Sequence, residues 1–486
     1  MLLPFFGSFS LFSLSFLLFF SLFFRVRSHV LLGFSFFFIT FVLMLISVAY
    51  MESNFYLLSV YKNSHTLEPF LLKLSTLWGS NEGSLCLWLW LMLFFNVFFI
   101  SVFELWSQRW FVFLYSFYIF AFADPFLFDS FSYFLGLNGH GLNKILVNVL
   151  MVIHPPLLYF AYSSSIYLLG LYQLGHLNFL RQFLRFLWGF LTLGIFLGSW
   201  WAYGELGWGG YWFWDPVENV SLLPWFMLGL LLHGELSLFK LLFNVFLCNV
   251  STLLIRGGFV NSVHGFVQGF AELFVLFLFL GSFFYLYILK DLRFVRQRFF
   301  FDVTERFSLL SLFVLFFIFL LIGSFFGLQP YYYYVVVLGF LPLFMVMPLT
   351  YVHFFFFVFI VVIYINTLFS YEHIVSLSVG DSIVLGDYVL SFSSVNSVVN
   401  GDYISHFVRL QLFNSDGLLL AQLFPEIRSY EELYTSRSSI VSNFYVDVQA
   451  QIEAYQQDQW KVRVAIRPLQ SFIWFSILLL VLSILF

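Results

Sequence analysis

The 486 residues are 62% apolar and only 9% charged, which excludes an ordinary soluble domain, where about a quarter of residues carry charge. A net charge of −4 excludes a strongly basic nucleic-acid surface, and two cysteines, Cys86 and Cys248, without a CxxC pair exclude dithiol exchange within the chain. Seventy-six phenylalanines point to an AT-rich gene, since a lipid-facing helix accepts Phe in place of Leu, and with the absence of an Arg/Ser-rich leader this predicts an organelle-encoded chain.

In chain order, apolar runs at Leu11–Phe24, Leu31–Tyr50, Leu85–Phe103, Leu187–Trp201, Ala271–Leu289, Leu309–Phe326, Phe354–Leu368 and Ser471–Phe486 approach or reach a bilayer span. The pattern predicts a polytopic α-helical membrane protein with about eleven transmembrane helices. Residues 1–370 form the transmembrane domain. From Tyr371 the apolar runs stop, and "IVSLSV", "SIVLGDYVLSF" and "ISHFVRLQLF" alternate as strands do. Gly-Asp turns are expected at Gly380-Asp381, Gly386-Asp387 and Gly401-Asp402. Residues 371–468 therefore read as a small, β-rich, water-facing domain near the C-terminus, and 469–486 as a final transmembrane helix. Arg181, Arg185, Lys240 and the Lys290–Arg298 cluster thread onto one face, the inside by the positive-inside rule. The opposite face receives His154, the 200–225 segment, His264 and the β domain.

That segment, "WWAYGELGWGGYWFWDPVENVSLLPW", gathers six of fourteen tryptophans: Trp200, Trp201, Trp208, Trp212, Trp214 and Trp225. Aromatic belts favour the interface anyway, but a belt is scattered over many helix ends, whereas this is contiguous. Its glycines let backbone lie close to something flat, and Asp215-Pro216 resembles a helix start with Glu218 and Asn219 just inside. Such a surface suits a large planar ligand at the membrane boundary. A metal at its centre would need axial ligands. His154 and His264 share the outward face and bracket the segment, and two imidazoles on opposite sides of a haem iron are a standard arrangement. His233 and His353 lie within apolar runs, at similar depths of about 10 Å and about 7 Å by helical rise, where facing histidines can hold a second, buried b-type haem.

These residues carry a family resemblance. "WGGYWFWDPVENVSLLPW" resembles the tryptophan-rich signature of CcmF-type cytochrome c haem lyases, whereas related haem exporters typically continue WDARLT. "LWGSNEGSLCLW", "HPPLLY", "LLHGELSLFK", "RGGFVNSVHGF", "VHFFFF", "GDSIVLGDY", "LFPEIRSY" and "WKVRVAIRPLQSFIW" are similar to lyase motifs in the same order. The resemblance implies a haem substrate on the Trp-rich platform, ligated by His154 and His264, and a resident b-type haem ligated by His233 and His353. It implies thioether attachment of haem to the CxxCH cysteines of apocytochrome c, with a haem delivery protein of the same superfamily as the alternative. It further implies a CcmE-type haem chaperone, a CcmH-type adaptor and a hetero-oligomer in the mitochondrial inner membrane with its site facing the intermembrane space, or in a bacterial plasma membrane facing the periplasm. The chain departs from the family pattern at Asn81, where His is usual, at "VHFF" around His353, and in a shortened stretch before His353.

Overall fold

A computed structural model of the chain describes residues 2–24, 28–99, 106–128, 138–207, 210–213, 215–256, 350–400, 403–430, 433–456 and 458–485. Its helices are α1 (Leu2–Phe23), α2 (Ser28–Met51), α3 (Leu58–Asn63), α4 (Phe70–Gly79), α5 (Asn81–Phe98), α6 (Trp106–Phe122), α7 (Leu150–Ser163), α8 (Ser165–Gln173), α9 (Leu177–Trp201), α10 (Pro216–His233), α11 (Leu238–Arg256) and α12 (Tyr351–Phe369). Among the described residues ten strands follow, β1 (Tyr371–Leu377), β2 (Ser382–Leu385), β3 (Tyr388–Asn400), β4 (Tyr403–Asn414), β5 (Leu419–Leu423), β6 (Glu426–Ser429), β7 (Tyr434–Arg437), β8 (Ser439–Ser442), β9 (Val446–Gln456) and β10 (Gln459–Pro468), and then α13 (Gln470–Leu485). Among the described residues six helices are long and apolar enough to cross a membrane. The described residues fall within two compact units, Met1–Ile195 with Trp214–Gln329, and Phe196–Phe213 with Pro330–Phe486.

In α1 the sorting is by size rather than by polarity. Phe5, Phe9, Phe12, Phe16, Phe19 and Phe23 point outward, while Leu11, Leu14, Leu18 and Leu22 are buried. The outward rings recur at steps of four and three residues, one stripe of an α-helix. In α2, Val30, Phe34, Phe37, Phe41, Met44 and Val48 repeat the same spacing. A lipid-facing stripe of rings explains how a helix bundle tolerates so much phenylalanine. Ser8 donates to Asp124 Oδ2 (2.6 Å), whereas several other hydroxyls in these helices are closed on their own backbone: Ser10 donates to the Phe6 carbonyl (2.7 Å), Ser35 to Leu31 (2.8 Å) and Thr40 to Phe36 (2.7 Å). Polar groups in hydrocarbon must be satisfied internally, and this does it locally.

Proline opens the ladder in two of the helices, and in each a side chain from elsewhere takes one of the freed carbonyls. Pro155 in α7 has no N–H for the Met151 carbonyl, and Trp78 Nε1 of α4 donates to that oxygen at 3.0 Å. Pro224 in α10 leaves the Val220 carbonyl open, and Ser251 Oγ of α11 donates to it at 3.1 Å. Each repair pins one helix against another at a chosen height.

The β region is a two-sheet domain. One sheet has the order β1-β10-β9-β8, the other β2-β3-β4-β6-β7 with β5 beside β4. Gly386 (φ +59°) and Asp387 form the two-residue turn between β2 (Ser382–Leu385) and β3 (Tyr388–Asn400). A left-handed residue is what a tight hairpin needs. Gly380 (φ +99°) turns the chain ahead of β2, and the expected turn at Gly401-Asp402 lies outside the described residues. Leu390, Phe392, Val408, Leu410, Leu412, Val448, Ala450, Ile452, Val462 and Val464 make the core between the sheets. Strand β9 (Val446–Gln456) sends Val448, Ala450 and Ile452 into that core, so its alternate residues Asp447, Gln449 and Gln451 face the other way.

Candidate functional site

Within the C-terminal unit, α9 ends on Trp200 and Trp201 and continues as one π-turn, Ala202–Leu206, before Gly207 reverses the chain at φ +65°. A single π-turn is often found at functional positions. Trp201 and Tyr203 are buried, whereas Trp200 keeps 45% of its surface exposed. The rings form a cluster around Trp474 of α13. Trp474 lies 5.6 Å from Phe196, 6.2 Å from Trp200 at 22° between planes, 5.6 Å from Tyr203 and 5.9 Å from Tyr211. Tyr211 also meets Trp212 (5.8 Å) and Phe359 of α12 edge-on (5.1 Å). Such ring pairs carry specific packing energy beyond area. Trp200 thus presents an open aromatic face on a rigid aromatic base.

The turn is held from below. Tyr203 donates its hydroxyl to Asp447 Oδ2 at 2.9 Å, and Arg437 pairs with Glu205 at 2.9 Å. Gln449 Nε2 donates to the Tyr203 carbonyl (3.0 Å), Gln451 Nε2 to the Leu206 carbonyl (3.1 Å) and Ser438 Oγ to the Gly204 carbonyl (2.6 Å). Burial pushes the Asp447 carboxyl above the usual carboxylate range, while hydrogen bonds from Tyr203, Ser442 and Ser471 and the charge of Arg467 pull it back.

Within the N-terminal unit, Asp215 is the N-cap of α10. Its Oδ2 accepts from the Val217 amide (3.0 Å), Glu218 Oε2 accepts from the Asp215 amide (3.3 Å), and Pro216 starts the helix. This capping box is the helix start the sequence suggests. Asn219 is buried on the next turn. Trp225 donates from Nε1 to Thr192 Oγ1 (2.8 Å), and its carbonyl accepts from Trp188 Nε1 (3.2 Å).

His154, half-buried on α7, places Nδ1 at 2.7 Å from the Gly194 carbonyl. A carbonyl can only accept, so Nδ1 carries the proton and Nε2 the lone pair, the tautomer of a metal-ligating imidazole whose other nitrogen is anchored. His233 holds the same tautomer through the Gly229 carbonyl at 2.8 Å. It is the last residue of α10, at a helix end rather than midway along one. The depth counted from sequence assumed one continuous helix toward Lys240, but residues 234–237 are non-helical. His353 lies in the first turn of α12, with Nδ1 at 2.7 Å from Thr350 Oγ1. Trp208, Trp214 and His264 lie outside the described residues. Among the described residues no group of three or more His, Cys, Asp or Glu side chains could hold a metal ion, but an axial pair on a porphyrin does not need one.

The sequence reading missed Trp474, Tyr203, Tyr211 and the β9 face. Trp474 had a signal, a lone tryptophan near the start of the last helix. Asp447, Gln449 and Gln451 had a weaker one: a polar strand face carrying amides where an exposed strand would more often carry Lys or Glu.

Fold and sequence together define a multi-pass helical membrane protein with a C-terminal β domain and an aromatic site at a helix end. Comparison with known proteins sharpens that class. Residues 78–262 match the family described as cytochrome C assembly protein, and residues 368–468 match the CcmF C-terminal beta-sandwich. The chain is 33% identical over 297 residues to the cytochrome c-type biogenesis protein CycK of Rhizobium meliloti, covering 54% of this chain and 42% of that protein. It is 34% identical over 297 residues to the cytochrome c-type biogenesis protein CcmF of Haemophilus influenzae, covering 53% of this chain and 44% of that protein. The matched region thus spans under half the length of these relatives. A solved structure described as cytochrome c heme lyase CcmF superposes with a TM-score of 0.73 at 16% identity, over 99% of this chain and 97% of that one, a likeness of fold. The chain belongs to the CcmF-type cytochrome c biogenesis family.

Proposed function

We propose that the chain is the haem lyase subunit of a cytochrome c maturation complex, holding substrate haem against the Trp-rich segment while two CxxCH thiols of apocytochrome c add across its vinyl groups. Each addition forms one C–S bond, and the thiol proton ends on the adjacent vinyl carbon, so no net oxidant or reductant is consumed. The observation that carries the reading is Trp200, an exposed ring on a base of Phe196 and Trp474. A flat, apolar face with fixed orientation fits a porphyrin, and neutral imidazole with its Nδ1–H anchored fits the iron. His154 and His264 are assigned to the substrate iron. Trp200, Trp201, Trp208, Trp212, Trp214 and Trp225 are assigned to the macrocycle, with Asp215, Glu218 and Asn219 fixing the backbone around it. The chain's contribution is positioning, which in favourable cases supplies about 7–11 kcal/mol of a barrier.

His233 and His353 are assigned to a resident b-type haem, whose iron supplies one-electron chemistry when bound. Anchoring of each Nδ1, by the Gly229 carbonyl and by Thr350, supports the assignment. The partners in this reading are apocytochrome c, a CcmE-type haem chaperone and a CcmH-type adaptor. The compartment in this reading is the mitochondrial inner membrane, on the phenylalanine-rich composition, with a bacterial plasma membrane as the alternative that the identities to bacterial proteins support.

The test is His264→Ala, with covalent haem on cytochrome c followed by peroxidase staining after denaturing electrophoresis. Loss of holocytochrome with normal amounts of the variant in the membrane is expected. Normal holocytochrome would overturn the lyase assignment.

A further inference from the structure

Helix ends leave their last carbonyls without partners in the helix. Beyond Trp201 this helix end is served by one face of one strand and the residues just before its sheet partner. Gln449 takes the Tyr203 carbonyl, Gln451 takes the Leu206 carbonyl and Ser438 takes the Gly204 carbonyl. The Tyr203 hydroxyl reaches the same strand at Asp447, and Arg437 holds Glu205. Four of the five residues of the turn, all but Ala202, are thus addressed by side chains of the β domain.

Two features make this more than a generic cap. The strand that supplies Asp447, Gln449 and Gln451 has Val448, Ala450 and Ile452 locked in the domain core, so its polar face cannot shift without disturbing that core. Gly207 then leaves the turn at φ +65° with Gln451 packed where a side chain would stand: a Cβ there would lie 2.2 Å from Gln451 Oε1. Backbone and strand are therefore fitted to each other on both sides of the contact. Of the clustered rings, Trp200 precedes this turn, Tyr203 lies in it, and Tyr211 and Trp212 follow it.

We propose that the outer face of β9 is a cradle for the aromatic platform, and that Gln449, Gln451 and Ser438 are positioning residues for the ligand it carries. The inference rests on the reading of the 200–225 segment as the haem platform. Its content is that the β domain sets where the rings stand, through three donors to three main-chain oxygens, so that a change in the strand moves the platform.

The experiment compares the full chain in detergent with the double variant Gln449→Leu/Gln451→Leu, which keeps side-chain bulk and removes two donors. Amide hydrogen exchange across 202–207 reads the cradle, and the Soret band of added haemin reads the platform. Each donor lost is worth about a five-fold change in protection, about 25-fold together. The Soret band of bound haemin is expected to shift as its aromatic surroundings lose their fixed place. Ser438→Ala is the milder variant should the double one fail to fold, with about a five-fold loss of protection expected. Unchanged protection overturns the cradle, whatever haemin does. Lost protection with an unchanged haemin spectrum overturns the platform reading and, with it, the positioning role.

Discussion

Gly207→Ala tests the fit between turn and strand at a single atom. The residue sits at φ +65°, a conformation that costs an L side chain about 1–2 kcal/mol. The added Cβ would lie 2.2 Å from Gln451 Oε1 and 2.7 Å from its Cδ, so the Gln451 side chain must move. Moving it gives up its donation to the Leu206 carbonyl, worth about 1 kcal/mol. The sum is a destabilisation of about 2–3 kcal/mol, local to the C-terminal unit. Gly204→Ala is the matched control: nothing stands within 4 Å of its Cβ, and its φ is not in the left-handed range. Replacing a glycine inside a helical turn there is expected to be neutral or to stabilise by up to about 1 kcal/mol. Amide exchange and thermal unfolding of the detergent-solubilised protein report both. Equal effects of the two substitutions would refute the argument, because they would show that the strand does not reach the turn at Gly207.

Trp78→Phe is expected to cost about 1–3 kcal/mol in thermal stability, by stranding the Met151 carbonyl that Pro155 already leaves open. Adding Pro155→Ala supplies a backbone N–H for that oxygen, so the double variant should recover much of the loss; no recovery would show that the indole acts through packing alone. Asp447 gives a pH signature. Its folded-state pKa is raised above the ordinary 3.8, chiefly by burial, so between those values the folded chain binds more proton than the unfolded one. Stability from this group is present at low pH and falls as pH rises through that window. Asp447→Asn should remove this component, read as the difference between the two melting-temperature profiles; parallel profiles would refute it.

The bundle was legible in the sequence as a class, and the fine sorting within it was legible only by residue identity. A helix apolar all round shows no polar stripe, so the inward side of α1 can be found only by noticing Phe at 5, 9, 12, 16, 19 and 23 against Leu at 11, 14, 18 and 22. The strands from Tyr371 were readable because alternation and the Gly386-Asp387 turn are local signals. The cap at Asp215 was readable for the same reason, its partners lying two and three residues away. The cradle was not. It joins residues more than 230 positions apart, and the alternation of β9 suggests water on a face that in the structure is covered by Tyr203 and Leu206. Nothing local distinguishes a polar strand face that meets solvent from one that meets main-chain oxygens. The clue available was the choice of amides, which can donate to a carbonyl without burying a charge.

The same distinction bears on what the site contributes to chemistry. Asp215 and Glu218, two of the three acids in the 200–225 segment, each accept a backbone amide of the α10 start. A carboxylate held in a capping box stabilises its helix and is poorly placed to leave as an acid or base. Glu205 is paired to Arg437, and Asp447 takes the Tyr203 hydroxyl. The carboxylates described around this segment are therefore engaged in fixing main chain and rings. In the proposed reaction, thiol addition to a vinyl group asks for two partners held in register and needs no nucleophile from the protein. An arrangement that commits its acids to geometry, and presents one open indole on a stack of supporting rings, is suited to a reaction whose difficulty is orientation.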